Sequence, residues 1–468
     1  MNIQRLYMDS PRIVKQSAGT LLRFIPPEYL FGKKFREVRK YIKETEFLPR
    51  EKILEIQLSR LREMLIYSYN NVPYYRRLFD KHGIKVEKIE SCDEIRKIPF
   101  LDRQKVKENF ATLQSTNFKK SLRSYATTGG TSGQPLGFYI DKARSSIEWA
   151  FLTSIWERIG YCINDKRLVL RGEVIKNKRN KLWFYDPLLN QLSLSTFHMS
   201  EDNRWKYLGL IQNFKPDFIH GYPSAIIVLA QFIRQNDIKL KFQLKGIIGI
   251  SENIIKAQRE YIENTFKTRF FSFYGHSEKL ILAAECEKSN CYHIEPQYGF
   301  TEIIDSKGEP VVEEGQVGEL VGTGFINHAM PFVRYRTGDI VEYTSRQCEC
   351  GRDYLLLKTI RGRWLQEMLV TKKNSLISIT ALNVHSGIFD KVVKFQFEQN
   401  EPGKAILKII KSPDYSESDT KSITKELNAK LDKQIDLQLD FVENIPSTQI
   451  GKSIFLKQNI DISNLFPV

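Results

Sequence analysis

The amino-acid sequence predicts an α/β protein, with a large N-terminal domain of mixed β-sheets and helices and a small C-terminal α+β domain. Three observations lead to this class. Apolar, β-branched runs alternate with helical patterns between about residues 120 and 345, which is typical of a layered α/β domain. After about residue 360 the pattern restarts as strands and one charged helix. The length of 468 residues, with 41% hydrophobic and 27% charged residues, suits two globular domains.

The N-terminal segment predicts helices. Residues 1–60 carry 13 Lys and Arg against 7 Asp and Glu, a net charge of 13 − 7 = +6, with apolar residues between them. We favour helices packed on the main body with a solvated basic face, and the alternative is contact with an anionic membrane surface. Residues 52–70 carry leucines in steps of four, three and four, the spacing of a helix. We assign residues 1–115 to the N-terminal helical part of the large domain.

The central segment, residues 116–360, predicts the α/β core of the large domain. Its strand candidates are short runs rich in β-branched and aromatic residues, at residues 167–170, 217–222, 246–250 and 270–275. Its helix candidates lie at residues 141–159, 200–213, 223–236 and 252–266. This alternation is the reason for predicting layers of helices on a sheet.

The last segment, residues 361–468, predicts a compact α+β domain. Strand patterns at residues 391–397 and 405–410 precede a charged helix near residues 415–433, and a last strand follows at residues 438–442. The change of pattern after about residue 360 is our reason for placing a domain boundary there.

Charge and hydropathy limit the partners and the location. Lys and Arg exceed Asp and Glu by 71 − 55 = 16, and the isoelectric point is near 9.3, which favours anionic partners. The basic residues are spread out and no nucleic-acid motif occurs, so we expect no nucleic-acid partner. No run approaches the roughly 18 apolar residues of a membrane span, and the N-terminus lacks the apolar core of a secretory signal. We expect a cytoplasmic protein, with peripheral contact at the inner membrane face as the alternative.

The strongest motif is T-T-G-G-T-S-G at residues 127–133, which places three glycines and four hydroxyl residues in seven positions. Glycines let the backbone approach a ligand closely, and exposed N–H groups and hydroxyls wrap phosphate oxygens. The G-K-[ST] ending of a Walker A loop is absent. An ordinary surface loop is the alternative interpretation.

Four further motifs follow, and each is weak alone. F-Y-G-H-S-E (273–278) offers an aromatic ring that can stack on a base and a Glu that can hold Mg²⁺, although a core Tyr and a solvated Glu are commoner. V-R-Y-R-T-G-D (333–339) offers a carboxylate for two ribose hydroxyls, with turn geometry as the alternative. I-R-G-R (360–363) and I-P-S-T-Q-I-G-K (445–452) offer cations that are otherwise ordinary surface residues.

In this order and spacing the five motifs resemble those of the adenylate-forming enzymes, and within them the phenylacetate–coenzyme A ligase family. The chain looks most similar to the branch found in capsular-polysaccharide gene clusters. The likeness covers almost the whole chain, including L-x-x-x-L-x-Y-S-Y-N-N-V-P-Y-Y-R (61–76), K-I-P-F-L-D-R (97–103), T-A-L-N (380–383) and F-Q-F-E-Q (395–399).

The resemblance implies an ATP site. It assigns the loop around the ATP phosphates to Thr127, Thr128, Gly129, Gly130, Thr131, Ser132 and Gly133. It assigns the adenine site to Ser251, Glu252 and the stacking ring of Tyr274, which Gly275 follows.

The remaining nucleotide contacts are implied in the same way. Glu278 matches the Glu associated with Mg²⁺, and Asp339 matches the Asp that binds ribose. Arg363 matches the Arg that contacts the nucleotide near the hinge, and Lys452 matches the Lys that reaches the substrate carboxylate and the α-phosphate. With Thr131, Glu278 and Lys452 form the implied catalytic set.

The implied activity is that of an ATP-dependent acid ligase. Attack of a carboxylate on the α-phosphate gives an acyl-adenylate and pyrophosphate, and the acyl group then passes to coenzyme A or a carrier protein. The alternatives are transfer to an amine or hydroxyl of a polysaccharide precursor, or a nucleotide-binding relative without catalysis. The chain departs from the family pattern at the hinge, where Gln366 or Glu367 takes the usual place, and at Ser447, which replaces an Arg.

Cysteine and histidine residues suggest a metal site. Cys286, Cys291 and His293 lie on one segment, and Cys348 and Cys350 on another, which are ligand types for a structural Zn²⁺. The resemblance implies Cys286, His293, Cys348 and Cys350 as its four ligands, with Cys291 competing with His293 and reduced, unliganded thiols as the alternative. Tyr222, Ser224 and His276 are the residues we expect to line the acyl pocket.

Overall fold

The computed structural model describes residues 19, 22, 25–128, 136–172, 182–199, 201–252, 254, 256–361, 368–382, 387–445 and 456–460. Its α-helices are α1 (Pro27–Leu30), α2 (Lys33–Thr45), α3 (Arg50–Asn71), α4 (Pro73–Lys81), α5 (Arg103–Glu108), α6 (Arg144–Glu157), α7 (Glu201–Phe214), α8 (Pro223–Gln235), α9 (Lys256–Phe266), α10 (Ile379–Leu382) and α11 (Glu417–Leu431). Short 3-10 helices occupy Val86–Lys88, Cys92–Lys97, Lys120–Leu122 and Thr196–His198.

The strands fall into one large sheet and three small ones. They are β1 (Arg123–Thr127), β2 (Gly137–Asp141), β3 (Arg167–Arg171), β4 (Trp183–Asp186), β5 (Gln191–Ser195), β6 (Phe218–Gly221), β7 (Gly246–Gly249), β8 (Phe270–Gly275), β9 (Leu282–Ala284), β10 (Tyr292–Ile294), β11 (Gly299–Ile304), β12 (Val317–Gly324), β13 (Tyr335–Thr344), β14 (Leu356–Arg361), β15 (Met368–Val370), β16 (Leu376–Ser378), β17 (Val392–Glu401), β18 (Lys404–Lys411), β19 (Asp436–Phe441) and β20 (Leu456–Gln458).

The large sheet has twelve described strands in the order β11-β12-β13-β14-β10-β9-β8-β7-β6-β3-β5-β4. Strands β5, β3, β6, β7 and β8 are parallel neighbours, and the remaining pairs are antiparallel. The four central strands expected from the sequence correspond to β3, β6, β7 and β8. The mixed α/β class and the separate C-terminal sheet are confirmed.

Helices cover both faces of the parallel strands. On β6, Phe218 belongs to a core cluster with Phe151 and Trp156 of α6, while its neighbour Ile219 belongs to a cluster with Ile226 of α8. Successive side chains of a strand point to opposite faces, so an apolar run is buried on both sides. This burial explains why the central strands read as continuous β-branched and aromatic runs.

The N-terminal helices lie on the large domain. Phe31 and Phe35 stack at 4.8 Å, and Phe31 also meets Trp149 of α6 at 5.7 Å. This arrangement agrees, for residues 27–45, with the interpretation that the basic segment packs on the main body. Among the described residues, no helix is long and apolar enough to cross a membrane.

The C-terminal segment forms a four-stranded sheet in the order β19-β18-β17-β20, with α11 packed against it. A capping box of Ser416 and Asp419 begins α11. Strands β17, β18 and β19 and helix α11 were expected from the sequence. Strand β20, which pairs in parallel with β17, was not.

Side-chain contacts join this segment to the large domain, in addition to the hydrogen bond that Gln434 donates to the Phe197 carbonyl. Tyr125 of β1 hydrogen bonds with Asp390, and Nε2 of His198 lies 2.7 Å from Oδ2 of Asp432. The first contact touches the hairpin formed by β1 and β2, and the second lies at the end of α11.

Candidate functional site

The carboxyl ends of four parallel strands form one edge of the large sheet. Arg171 ends β3, Tyr222 follows β6, Ser251 follows β7 and Tyr274 lies near the end of β8. In open α/β sheets, ligands bind at this edge. The backbones of β3 and β6 are close here. If Gly221 carried a side chain, its Cβ would lie 2.4 Å from the carbonyl oxygen of Leu170. The topology therefore brings residues from four separate segments to one place.

Tyr274 is hydrogen bonded to Asp339. The tyrosine hydroxyl donates to Oδ2 of Asp339 over 2.7 Å. Burial, and after it the charge of the Asp339 carboxylate, raises the pKa of Tyr274 well above its usual value, so the hydroxyl stays a donor. The residues expected to contact adenine and ribose are therefore neighbours.

Glu278 is buried and ionised. Burial alone would raise the pKa of its carboxyl, but the hydrogen bond from His276, with the charge of Arg103, brings the pKa down to about 2. The hydroxyl of Tyr335 donates to Oε1 of Glu278 over 3.2 Å. An ionised carboxylate is a suitable oxygen ligand for Mg²⁺.

Both ring nitrogens of His276 have partners within the protein. Nε2 accepts the Ile281 backbone N–H over 3.1 Å, and Nδ1 lies 3.0 Å from Oε2 of Glu278. A nitrogen that accepts a hydrogen bond carries no proton, so the proton of the neutral ring sits on Nδ1 and is donated to Glu278. We expected His276 to line the acyl pocket, and in the structure its Nδ1 holds Glu278 while its Nε2 accepts the Ile281 N–H.

Glu252 caps helix α8. Its Oε2 accepts the backbone N–H of Ser224 and its Oε1 accepts the Ser224 hydroxyl, both over 2.9 Å. Ser224 is the second residue of α8, where backbone N–H groups lack helical acceptors and the helix dipole favours an anion. Tyr222, the residue before α8, is buried beside this pair. The predicted adenine-site and acyl-pocket residues therefore meet at this helix end.

The described ends of the predicted phosphate loop are fixed. Thr127 pairs with Gly137 across β1 and β2. The Thr128 N–H donates to the Leu136 carbonyl over 2.9 Å, and the Leu136 N–H donates to the Thr128 hydroxyl over 3.1 Å. The loop is therefore the connection of a β-hairpin. The five other predicted loop residues lie outside the described residues: Gly129, Gly130, Thr131, Ser132 and Gly133.

Arg363, the hinge residues Gln366 and Glu367, and Lys452 also lie outside the described residues. The chain on both sides of Lys452 is described. Before it, Nζ of Lys394 donates to the Ile445 carbonyl over 2.6 Å. After it, Leu456 of β20 pairs with Phe397. Both attachments are to β17.

Four predicted metal ligands form a cluster. The ligand atoms of Cys286, His293, Cys348 and Cys350 lie within 4.8 Å of one another. Sγ of Cys286 is 3.5 Å from Sγ of Cys348, and Sγ of Cys350 is 3.2 Å from Nε2 of His293. A zinc tetrahedron with Zn–S bonds of about 2.3 Å has edges of about 3.8 Å, so the donor set and its spacing fit Zn²⁺.

The surroundings of the cluster favour a thiolate. The backbone N–H groups of Lys288 and Ser289 each lie 3.3 Å from Sγ of Cys286. The hydrogen bond from Cys350, with those from the Lys288 N–H and the Ser289 hydroxyl, lowers the pKa of Cys286. Among the described residues the cluster contains His293 and not Cys291, so of the two competing ligands the geometry selects His293.

Arg352 connects the cluster to the N-terminal helices. Its Nε lies 2.8 Å from Oε1 of Glu46, just after α2, and its Nη1 lies 2.9 Å from Oε2 of Glu287. Cys350 and Cys286 neighbour Arg352 and Glu287 in the sequence. A metal in the cluster would therefore stabilise a junction of three segments.

Three residues at the site were missed from the sequence. Tyr335 contacts Glu278, Arg103 lowers its pKa, and Arg171 ends β3. Arg171 could have been found from the sequence, because a charged residue at the carboxyl end of a buried strand lies at the edge where parallel sheets bind ligands. The contacts of Tyr335 and Arg103 depend on tertiary structure.

Sequence comparisons identify relatives over most of the chain. Residues 369–459 match the family described as CapK C-terminal domain. Protein CapK of Staphylococcus aureus is 25% identical over 462 residues, 97% of this chain and 99% of that protein. A phenylacetate-coenzyme A ligase of Thermus thermophilus is 26% identical over 359 residues, 71% of this chain and 75% of the ligase.

Two crystal structures of 2-hydroxyisobutyryl-CoA ligase share the fold. The complex with 2-HIB-AMP and CoA in the thioesterification state has a TM-score of 0.60 at 17% identity and covers 89% of this chain and 92% of that chain. The postadenylation complex with R3-HIB-AMP has a TM-score of 0.57 at 18% identity and covers 91% and 92%. The fold class and the resemblance to adenylate-forming enzymes are confirmed.

Proposed function

We propose that this chain is an ATP-dependent acid ligase, which converts a carboxylic acid to an acyl-adenylate and then transfers the acyl group to a thiol of coenzyme A or a carrier protein. One observation carries the proposal. The motifs at residues 273–278 and 333–339 are joined twice by side chains, through Tyr274 with Asp339 and through Glu278 with Tyr335. The relatives named phenylacetate-coenzyme A ligase support the same activity.

The nucleotide roles follow from the site. Tyr274 offers a ring face for adenine, and the Asp339 carboxylate can accept ribose hydroxyls beside it. The hairpin loop at residues 127–133 supplies N–H groups and hydroxyls for the phosphates. Glu278 would hold Mg²⁺, which when bound neutralises charge on the phosphate oxygens.

The first step forms the adenylate. A carboxylate oxygen of the substrate attacks the α-phosphorus, an O–P bond forms, the bond to the β-phosphate breaks and pyrophosphate leaves. Lys452 places an ammonium group against the α-phosphate, where negative charge develops. In the second step a thiol sulfur attacks the acyl carbon, the bond to AMP breaks and the thiol proton passes to solvent.

Domain division is part of the proposal. Residues 1–115 form the N-terminal helical part, residues 116–360 the nucleotide- and acyl-binding core, and residues 361–468 a mobile domain that carries Lys452. The family match at residues 369–459 supports the last of these. Because ATP and coenzyme A are cytoplasmic, the proposal places the enzyme in the cytoplasm.

A second acceptor class has support of its own. The similarity to protein CapK covers 97% of this chain, whereas the Thermus ligase covers 71%. We therefore also consider transfer from the adenylate to an amine or hydroxyl of a polysaccharide precursor, as the CapK name suggests. We further propose a structural Zn²⁺ at Cys286, His293, Cys348 and Cys350, since four protein ligands leave no open coordination position.

Acid-dependent release of pyrophosphate from ATP tests the proposal. The assay uses the full chain with Mg²⁺ and a panel of carboxylic acids, each with and without coenzyme A. We expect release with one class of acid and its loss in Lys452→Ala, while ATP binding by calorimetry persists. Acceleration by coenzyme A supports a coenzyme A thioester, and indifference to it favours a carrier-protein thiol or a glycan acceptor. Normal release from Lys452→Ala would contradict the assignment of the lysine.

A further inference from the structure

The last residue of β3 is a cation, Arg171. This residue is half-exposed at the ligand-binding edge of the parallel sheet. Among the residues that the structure describes, no carboxylate lies in an ion pair with Arg171. A guanidinium is a planar donor suited to binding carboxylate or phosphate through two parallel hydrogen bonds.

Tyr222 supplies a second donor beside Arg171. The Tyr222 backbone N–H donates to the Leu170 carbonyl over 2.9 Å, which places Tyr222 directly beside Arg171. Burial raises the pKa of the Tyr222 hydroxyl, and the Arg171 side chain and the Gly172 N–H lower it as donors that face the hydroxyl oxygen. Since these groups donate, the hydroxyl oxygen is the acceptor and its own proton is left to donate. In the described part of the chain no acceptor for this proton occurs.

His220 lies on the same face of the sheet. Val169 of β3 pairs with His220 of β6, and strand alternation returns Arg171, two residues later, to that face. His220 is 5% exposed, and its Nε2 has no hydrogen-bond partner among the described residues. Burial, and then the charges of Arg167 and Arg171, lower the pKa of His220, so the ring is neutral and adds no positive charge of its own.

The charge of the Glu252 carboxylate also acts on Tyr222. Both of its oxygens are held by Ser224 at the start of α8. The Glu252 carboxylate therefore already binds the start of α8, and among the described residues no ion pair joins it to Arg171.

The distance from the nucleotide residues suits one extended ligand. β3 and β8 are separated by β6 and β7, so three strand spacings of about 4.8 Å put the end of β3 roughly 14 Å from Tyr274. An adenosine at Tyr274 leaves this length of the edge for the acyl group. Arg171 then faces the end of the acid remote from the carboxylate that reacts.

We infer that Arg171 and Tyr222, with His220 beside them, form an anion-binding subsite, and that the substrate is a carboxylic acid carrying a second anionic group, a carboxylate or a phosphate. The inference rests on the proposed function and narrows its substrate class. Arg171 donates its N–H groups to the second anion and Tyr222 donates its hydroxyl proton. The carboxylate to be activated points toward Tyr274 and Glu278.

Matched acids test the subsite. Glutarate is compared with pentanoate, which lacks the second carboxylate. Glucuronate 1-phosphate is compared with glucuronate, which lacks the phosphate. The two pairs therefore show which second anion the subsite binds. Binding to the full chain is measured by calorimetry with Mg²⁺ and a non-hydrolysable ATP analogue, and pyrophosphate release is measured with ATP. The variants are Arg171→Met, Arg171→Lys and Tyr222→Phe. Arg77→Met, an exposed arginine on α4, is the control, and melting temperatures check folding.

At least one dianionic acid is expected to bind about 10- to 100-fold more tightly than its monoanionic partner, the range of a charge-assisted hydrogen bond. Arg171→Met should remove this preference, Arg171→Lys should keep part of it, and Arg77→Met should leave it unchanged. Equal affinity for both members of every pair overturns the inference, and so does a preference that survives in Arg171→Met.

Two further outcomes separate the inference from the proposed function. Weaker binding of the ATP analogue to Arg171→Met, with the acid preference intact, would assign Arg171 to the nucleotide and overturn the subsite. A charge preference that depends on Arg171, without pyrophosphate release from any acid, would support the subsite and count against acid adenylation. If no dianionic acid binds with a Kd below roughly 10 mM, the subsite is also overturned.

Discussion

The hydroxyl of Tyr274 lies 2.7 Å from Oδ2 of Asp339, and this hydrogen bond joins the end of β8 to β13. Tyr274 is the donor because burial and the neighbouring carboxylate raise its pKa. The bond fixes one oxygen of Asp339 at the hydroxyl edge of the tyrosine ring. On the proposed function, a base on the ring face and its ribose at Asp339 need these two groups at a fixed separation.

Removing this hydroxyl tests the arrangement. Tyr274→Phe keeps the ring and deletes one hydrogen bond to a charged acceptor, so we expect the KM for ATP to rise about tenfold with a smaller change in kcat. Tyr207→Phe is the matched control, because its buried hydroxyl donates to the Ser195 carbonyl away from the site. An unchanged KM in Tyr274→Phe would show that Asp339 is oriented by other groups.

The pairing of His276 with Glu278 predicts a pH effect. The pKa of Glu278 is about 2, below its model-compound value of 4.5. A depressed carboxyl pKa stabilises the fold above pH 4.5, and this contribution, roughly 3 kcal/mol, is lost as pH falls from 4.5 toward 2. In His276→Leu the hydrogen bond that lowers the pKa of Glu278 is lost. Burial, which raises this pKa, is then opposed mainly by the Arg103 charge, so the pKa of Glu278 should rise.

The measurement is the pH profile of kcat/KM for ATP in His276→Leu. We expect its acid limb to move toward neutral pH by about one unit or more, because protonated Glu278 no longer offers two anionic oxygens. His82→Leu is the control, since His82 is an exposed residue after α4. Superimposable acid limbs in wild type and His276→Leu would refute the positioning role of His276.

The cysteine cluster predicts bound zinc. Elemental analysis of purified protein should find one Zn²⁺ per chain, and Cys350→Ser should lose it and melt about 5 °C lower or more. Cys291→Ser should keep both the metal and the melting temperature, since its sulfur lies outside the cluster. Metal-free protein with the melting temperature of the untreated protein would exclude a structural zinc.

The contact between Tyr125 and Asp390 predicts a local change in stability. Burial raises the pKa of Asp390 and the hydrogen bond from Tyr125 lowers it, so Tyr125→Phe leaves the Asp390 carboxyl without this donor. Amide hydrogen exchange in residues 387–392 should become about fivefold to tenfold faster, with β18 unchanged. Tyr29→Phe, an exposed tyrosine, is the control. Equal exchange in residues 387–392 would show that this contact does not hold the two parts together.

Elements with a strong local pattern could be predicted from the sequence. Strands β3, β6, β7 and β8 are buried on both faces, so their apolar runs are continuous. Strands β9 and β10 were not predicted, because each has three residues and is stabilised by its neighbours in the sheet. Short segments of this kind carry too few residues for a periodicity.

Part of the candidate site could likewise be predicted from the sequence, and part of it could not. Tyr274, Glu278 and Asp339 lie in motifs that the sequence displays, and the structure joins them. The capping of α8 by Glu252, and the use of both His276 nitrogens, depend on the positions of Ser224 and Ile281 in space. A sequence shows which groups are present, but their hydrogen-bond partners are decided by tertiary structure.

Lys452 lies between two attachments to one strand. Lys394 holds the Ile445 carbonyl and Phe397 pairs with Leu456, so the anchors lie three residues apart on β17, roughly 10 Å. On the proposed function, strand β17 is the support that carries the lysine, so rotation of the small sheet would move the ammonium group with it. Under that proposal a rigid-body movement sets the time of the chemical step, and we expect substitutions on the far side of the sheet to change its rate.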